Sequence, residues 1–149
     1  MYFLIAMTEI IHQYKSLPCP EALLKKAARR VYRGEGVPAA QSTAVVLCSD
    51  RAIRRLNRDY RRKDRPTDVL SFTFGDPDLL GEIYISLQRA KAQARMYGLT
   101  YDEELKRLLI HGLLHLMGYD HIKKSDRLIM EERERLYEFG GHKADNKVK

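Results

Sequence analysis

The sequence predicts an α+β fold: a single domain with a mixed sheet of about four strands and helices packed on it. Three observations predict it. A chain of 149 residues can bury roughly 68–70% of its unfolded surface, enough for one proper core. Four short apolar or alternating runs are separated by segments of helical period, in the order βαβαββααα. The two cysteines, Cys19 and Cys48, are far apart and form no CxxC pair, so neither a disulfide framework nor a cysteine zinc site is expected, and a reducing cytoplasmic setting fits best.

Tyr2 to Ile11 is rich in apolar and β-branched residues and reads as the first strand. No basic residues precede its YFLIAM stretch and no small-residue cleavage site follows it, so it does not read as a signal peptide. SLPCP breaks the strand. Leu23, Leu24, Ala27, Ala28 and Val31 then recur at helical period, with Pro20 near the start and Gly34 expected past the end. Thr43 to Cys48 is a nearly continuous apolar run, which predicts a central strand covered on both faces. Asp50 is placed to cap the next helix, with Ile53, Leu56 and Tyr60 inward and Arg51, Arg54, Arg55 and Arg58 outward.

VLSFTF and GEIYIS read as two further strands joined by a Gly/Asp/Pro loop short enough for antiparallel pairing. Leu87 to Tyr97 reads as a helix stopped by Gly98. Thr100 and Glu103 form a capping box for the following helix, which runs to Met117 before Gly118. Asp126 to Phe139 makes the last helix, ending at Gly140 and Gly141. The domain is thus expected over 1–141, with 142–149 a polar, frayed tail. No run approaches the ~20 apolar residues of a membrane span.

Composition indicates a polyanionic partner. Twenty-seven Lys and Arg against twenty Asp and Glu give a formal charge of +7 and an isoelectric point near 9.5. The excess is local: Arg51 to Arg65 holds eight basic and two acidic residues, a net +6. A solvated helix face is the ordinary explanation for such a run. Here, however, the charge continues into the loop YRRKDRPTD, where helix propensity no longer asks for arginine, and phosphate contact is the more economical reading. Tyr60 could stack on a base, although its spacing with Ile53 and Leu56 favours core packing.

HGLLHLMGYDH, His111 to His121, places histidines at its first, fifth and eleventh positions and a glycine at its eighth. That is the metzincin metal-site spacing, with Gly112 where those peptidases carry a glutamate base. Residues four apart on a helix share a face, so His111 and His115 can share one metal, and a turn at Gly118 can bring His121 to the same point. Core histidines are the bland alternative. The helix is apolar on almost every side, which implies burial, and an unpartnered polar group taken from water costs roughly 2–7 kcal/mol. A single ion would satisfy all three rings. Three imidazoles leave an open fourth position, as catalytic zinc sites do. One Zn²⁺ is therefore expected, although the same donors accept nickel, cobalt or iron.

Glycine inside a helix costs about 0.5–1 kcal/mol against alanine. Gly112 therefore calls for compensation, either a notch for close packing or room for a substrate anion near the metal. Zinc makes hydroxide available near pH 7 without a protein base, so losing the glutamate does not preclude hydrolysis. A phosphodiester hydrolase also needs a cation for the charge developing on phosphorus, and arginine's planar fork suits phosphate. Asp120 is placed either to orient an imidazole or to serve in the turn.

HGLLHLMGYDH, with LNRDYRRKDRPTDVLSF and LGEIYIS, resembles the YbeY family of bacterial endoribonucleases. Every fixed position of the family's H-G-x-L-H-L-x-G-Y-D-H is present, and the likeness extends from about Leu56 to about His121. The resemblance implies an endoribonuclease specific for single strands, acting in 16S rRNA 3′-end maturation and ribosome quality control. It also implies a zinc-type site at His111, His115 and His121, and its Y-R-x-K-D-x-P-T motif places the functional arginine on Arg61. Thr73 stands where relatives usually carry proline, in a segment read as strand.

On this reading Arg61 braces the phosphate, while Arg54, Arg55, Arg58, Lys63 and Arg65 are candidates for the RNA backbone. Expected partners are single-stranded RNA, rRNA and the small ribosomal subunit, with no membrane and no DNA. Two alternatives stay open: a non-catalytic ribosome-assembly factor with a structural metal, and a metzincin-like peptidase, which Gly112 disfavours.

Overall fold

The apolar run at Thr43–Cys48 becomes β2 (Ser42–Cys48), and it is central because both of its faces are covered. Val45 and Leu47 enter the larger core on one side, Val46 and Cys48 a smaller core on the other. The computed structural model describes residues 6–138. Within them β1 (Met7–His12), α1 (Glu21–Glu35), β2, α2 (Asp50–Arg61), β3 (Val69–Phe72), β4 (Leu79–Ser86), α3 (Leu87–Tyr97), α4 (Tyr101–Leu116) and α5 (Lys124–Glu138) follow the expected order. The start of the first expected strand, the end of the last helix and the 142–149 tail lie outside the described residues. Among those residues, no helix is long and apolar enough to cross a membrane.

The sheet order is β1-β2-β4-β3. β2 runs parallel to both β1 and β4, and the short loop before β4 makes β3 its antiparallel partner, so the sheet is mixed. Period-two alternation sorts the side chains. Ile83 and Ile85 of β4 join Val45 and Leu47 under α1 and α4, with α5 on the outer side of those helices. Leu70 and Phe72 of β3 face the opposite way, with Ile53 and Leu56 of α2. Both cysteines are free.

Several local expectations are corrected. The N-cap of α2 is Ser49, not Asp50: Ser49 is extended and its Oγ accepts from the Ala52 amide at 3.1 Å. Asp50 instead accepts from Ser86 Oγ at 2.6 Å and pairs with Arg89, tying α2 to the start of α3. Gly34 lies inside α1, and Gly36, with φ +69°, ends that helix. A Cβ on Gly34 would strike the Tyr137 ring, so its purpose is the close crossing of α1 and α5. β3 stops at Phe72, which puts Thr73 just beyond the strand. Tyr60 is not a core residue: it is 71% exposed. The capping box at Thr100 and Glu103 forms as expected.

One charged residue lies at the heart of the packing. Glu104 is fully buried and takes two bonds from Arg107, both at 2.7 Å. It also accepts from Gln93, whose amide reaches Asp68 at 3.2 Å. A buried carboxylate is tolerable only while its donors stay in place. Arg107→Ala strips Glu104 of its counter-ion and should lower stability by about 3 kcal/mol. A urea unfolding curve with an unchanged slope and an earlier midpoint is the expected result.

Candidate metal centre

Helical spacing sets the first two candidate ligands. His111 and His115 stand one turn apart on α4, with ring centroids 4.7 Å apart. The chain then reverses at Gly118, whose φ of +96° suits glycine. The Tyr119 amide donates to Leu114 O at 3.1 Å, so the turn folds back against the helix end. His121 arrives with its centroid 4.8 Å from His115 and 5.6 Å from His111. Asp120 serves the turn: its carboxylate accepts from the Ile122 amide at 2.9 Å.

Tyr119 anchors this loop at a distance. Its hydroxyl donates to Glu35 at the end of α1 at 2.7 Å and accepts from Arg133 of α5 at 3.1 Å. Glu35 also accepts from Tyr137. One carboxylate thus joins α1, α5 and the histidine loop.

The donor set fits a single transition-metal ion. One ligand atom from each of the three histidines lies within 4.8 Å of the others. His121 Nδ1 and His115 Nε2 approach to 3.0 Å, close to the roughly 3.3 Å separation of two imidazole nitrogens on a tetrahedral ion. His111 Nδ1 meets Glu134 of α5 at 2.5 Å. A carboxylate only accepts, so in the neutral ring this contact puts the proton on Nδ1 and leaves Nε2 as the nitrogen that can bind a metal. Burial, and after it the neighbouring His111 and His121, hold His115 below the ordinary imidazole range and so in its neutral, ligating form. The expectation of burial needs amending, however. The helix is buried, but its histidine face opens on a cleft, where the His111 side chain is 26% exposed and His121 lies at the surface.

That cleft has a volume of about 520 Å³ and is lined by all three histidines together with Arg61, Asp68, Ser71 and Thr73. Arg61 closes α2, and Arg62 behind it adopts a left-handed φ of +58°. Buried Asn57 holds the bend: its side-chain amide donates to Arg65 O at 2.9 Å and its backbone carbonyl receives the Lys63 amide. The other five basic candidates do not line the cleft. Arg54, Arg55, Arg58, Lys63 and Arg65 are all exposed, with Arg54 paired to Asp64 at 2.8 Å and Arg58 to Asp59 at 3.0 Å.

Gly112 serves packing. A Cβ there would lie 2.9 Å from Ile83 and 3.2 Å from Ser71 Oγ, so the glycine lets α4 settle on β3 and β4. Ser71 donates to Gly112 O at 3.1 Å, which fixes the helix against the edge strand.

Sequence reasoning missed Glu134, Asp68 and Ser71. A signal for Glu134 existed: it falls between Met130 and Tyr137 on the buried face of α5, where a carboxylate has no packing reason to be. Asp68 and Ser71 carry no comparable pattern, because only the tertiary fold turns them toward the histidines. Glu134→Gln should reduce Zn²⁺ affinity by about 10- to 100-fold without changing the number of sites. Calorimetric titration of the folded variant measures both quantities.

The sequence model described as "Endoribonuclease YbeY" matches residues 10–138. The chain is 41% identical to the Endoribonuclease YbeY of Bacillus cytotoxicus over 133 residues, covering 79% of this chain and 83% of that one. It is 40% identical to the protein of that name from Carboxydothermus hydrogenoformans, covering 86% and 92%. A Thermotoga maritima protein solved in solution superposes with a TM-score of 0.64 at 32% identity, covering 94% of this chain and 93% of that one. With its histidine cluster, its arginine and its sheet in the order described above, the chain belongs to the YbeY endoribonuclease family.

Proposed function

We propose that this chain is a metal-dependent endoribonuclease that cuts single-stranded RNA. It acts in the cytoplasm, in 3′-end maturation of 16S rRNA and in quality control of the small ribosomal subunit. The carrying observation is that Arg61 and the three histidines, 50 or more residues apart in sequence, line one cleft. Membership of a family named for endoribonuclease activity supports the reaction class, and the ribosomal role rests on that kinship.

His111, His115 and His121 would hold the ion. When bound, it supplies Lewis acidity and a nucleophile at neutral pH. Arg61 forks onto the scissile phosphate and stabilises the negative charge that grows on its oxygens. Glu134 keeps His111 in the ligating tautomer. The exposed cations of α2 and its following loop draw the RNA backbone toward the cleft and make binding dependent on salt. A peptidase is less well served. At the position that would carry its glutamate, even a Cβ would press on the Ile83 and Ser71 side chains, so a side chain there would have to move them.

Arg61→Ala should slow cleavage of a single-stranded RNA by about 10²–10³-fold, while metal content by elemental analysis stays at the parent level. Loss of metal in that variant would make Arg61 structural. His121→Ala should retain RNA binding and lose cutting, as a chelator does to the parent. Casein incubated in parallel should remain intact.

A further inference from the structure

The cleft occupies one side of the edge strand β3, and an aromatic pocket occupies the other. Tyr60 and Phe74 are 71% and 56% exposed. Phe72 meets Tyr60 edge-on at 5.6 Å between centroids and Tyr84 at 5.9 Å, so the rings form a graded wall. Together with Leu56 and Glu82 they line a hollow of about 120 Å³. Exposed aromatic area is costly to leave in water. Core packing takes up only part of it here: Tyr60 keeps the register of Ile53 and Leu56 and meets Phe72, yet stays largely exposed at the end of α2.

The hollow adjoins the cleft through the chain itself. Tyr60 in the hollow precedes Arg61 in the cleft, and Phe72 stands between Ser71 and Thr73, which line the cleft. Alternation along a strand sends neighbours to opposite faces about 3.3 Å apart along its axis. A polymer crossing the β3 edge therefore meets both sites in succession.

Charge selects the kind of polymer. The segment that carries Tyr60 and Arg61 is strongly basic, and Arg55, Arg61, Arg62, Lys63 and Arg65 make no ion pair within 4 Å among the described residues. Aromatic faces beside a cationic track are how proteins hold single strands: phosphates follow the charge and bases stack on the rings. Glu82 adds a preference. Its Oε1 accepts from Tyr84 at 2.9 Å, and Glu82 lines the hollow, so its carboxylate has a second oxygen left to accept a further bond. Such a group bonds an exocyclic amine and is repelled by a carbonyl edge.

We infer that Tyr60, Phe72 and Phe74 form a base-stacking subsite for the RNA strand, next to the cleft and selective, through Glu82, for bases with an exocyclic amino group over uracil. The inference rests on RNA being the substrate.

The chain contains no tryptophan, so Tyr60→Trp introduces a single reporter at the hollow. With chelator present to prevent cutting, oligo-C and oligo-A should quench its fluorescence, and oligo-U less so. Tyr60→Ala and Phe74→Ala should each weaken oligo-C binding by about 10-fold, in line with the usual worth of a base–aromatic stack. That factor should be the same at low and high salt, whereas Lys63→Ala should flatten the salt dependence. Glu82→Gln should narrow the gap between oligo-C and oligo-U. Both alanine variants replace exposed rings, and parent-like melting verifies their folding.

Parent-like oligo-C affinity in Tyr60→Ala and Phe74→Ala, or an unquenched Tyr60→Trp bound to oligo-C, overturns the subsite. The endoribonuclease reading survives that result if Arg61→Ala still cuts poorly. Failure of the parent to bind any of the three oligonucleotides overturns both.

Discussion

The close seat of α4 on the edge of the sheet is the constraint from which the rest of the molecule follows. A helix carrying any side chain at position 112 would have to stand off from Ile83 and Ser71. With glycine there, the backbone of α4 comes near enough for Ser71 to bond it directly. Cores are packed to crystal density, so a displacement at that contact would be transmitted rather than absorbed. The separation between the imidazoles on α4 and the walls supplied by β3 and the end of α2 is therefore set by one missing methyl group. The cost in helix propensity is offset by that proximity, and no special pleading about an anion is required.

Much of this architecture was legible in the residues. The element order followed from period and punctuation, and β2 declared itself central because a strand covered on both faces has no polar positions to alternate. The His111–His115 pair was legible because four residues return a helix to the same face, and Gly118 marked the reversal that delivers His121. What was not legible had physical reasons. Ser49 and Asp50 are both competent caps, and only the bond from Ser86 to Asp50 decides between them. Gly34 read as a terminator because sequence does not show the Tyr137 ring lying across it. Tyr60 kept helical register with Ile53 and Leu56 but sits where α2 runs past the margin of the sheet, so period alone could not tell inside from outside. Ser71 of β3 and Asp68 just before it belong to the cleft solely through the position of that strand.

Charge is distributed with a similar division of labour. Arg61 was nominated through the family motif and Arg54, Arg55, Arg58, Lys63 and Arg65 through the basic run, and of the six only Arg61 lines the cleft with the histidines. The left-handed residue behind it and the buried amide of Asn57 bend the chain there. Arg54 and Arg58 are held by carboxylates of their own segment. Exposed pairs of this kind contribute little to stability, but they temper a run that would otherwise repel itself.

The anchoring of the last helix has a wider consequence. α5 touches the histidines twice: directly, through Glu134 on His111, and at one remove, through Arg133 and Tyr137 on the hub at Glu35 that secures Tyr119. A partial opening that lifted α5 alone would leave every strand pairing intact and still strip His111 of Glu134 and the Tyr119 hydroxyl of Arg133. The support of the histidines thus rests partly on a helix that pairs with no strand, so a chain that by every measure of its sheet is folded can still have lost it.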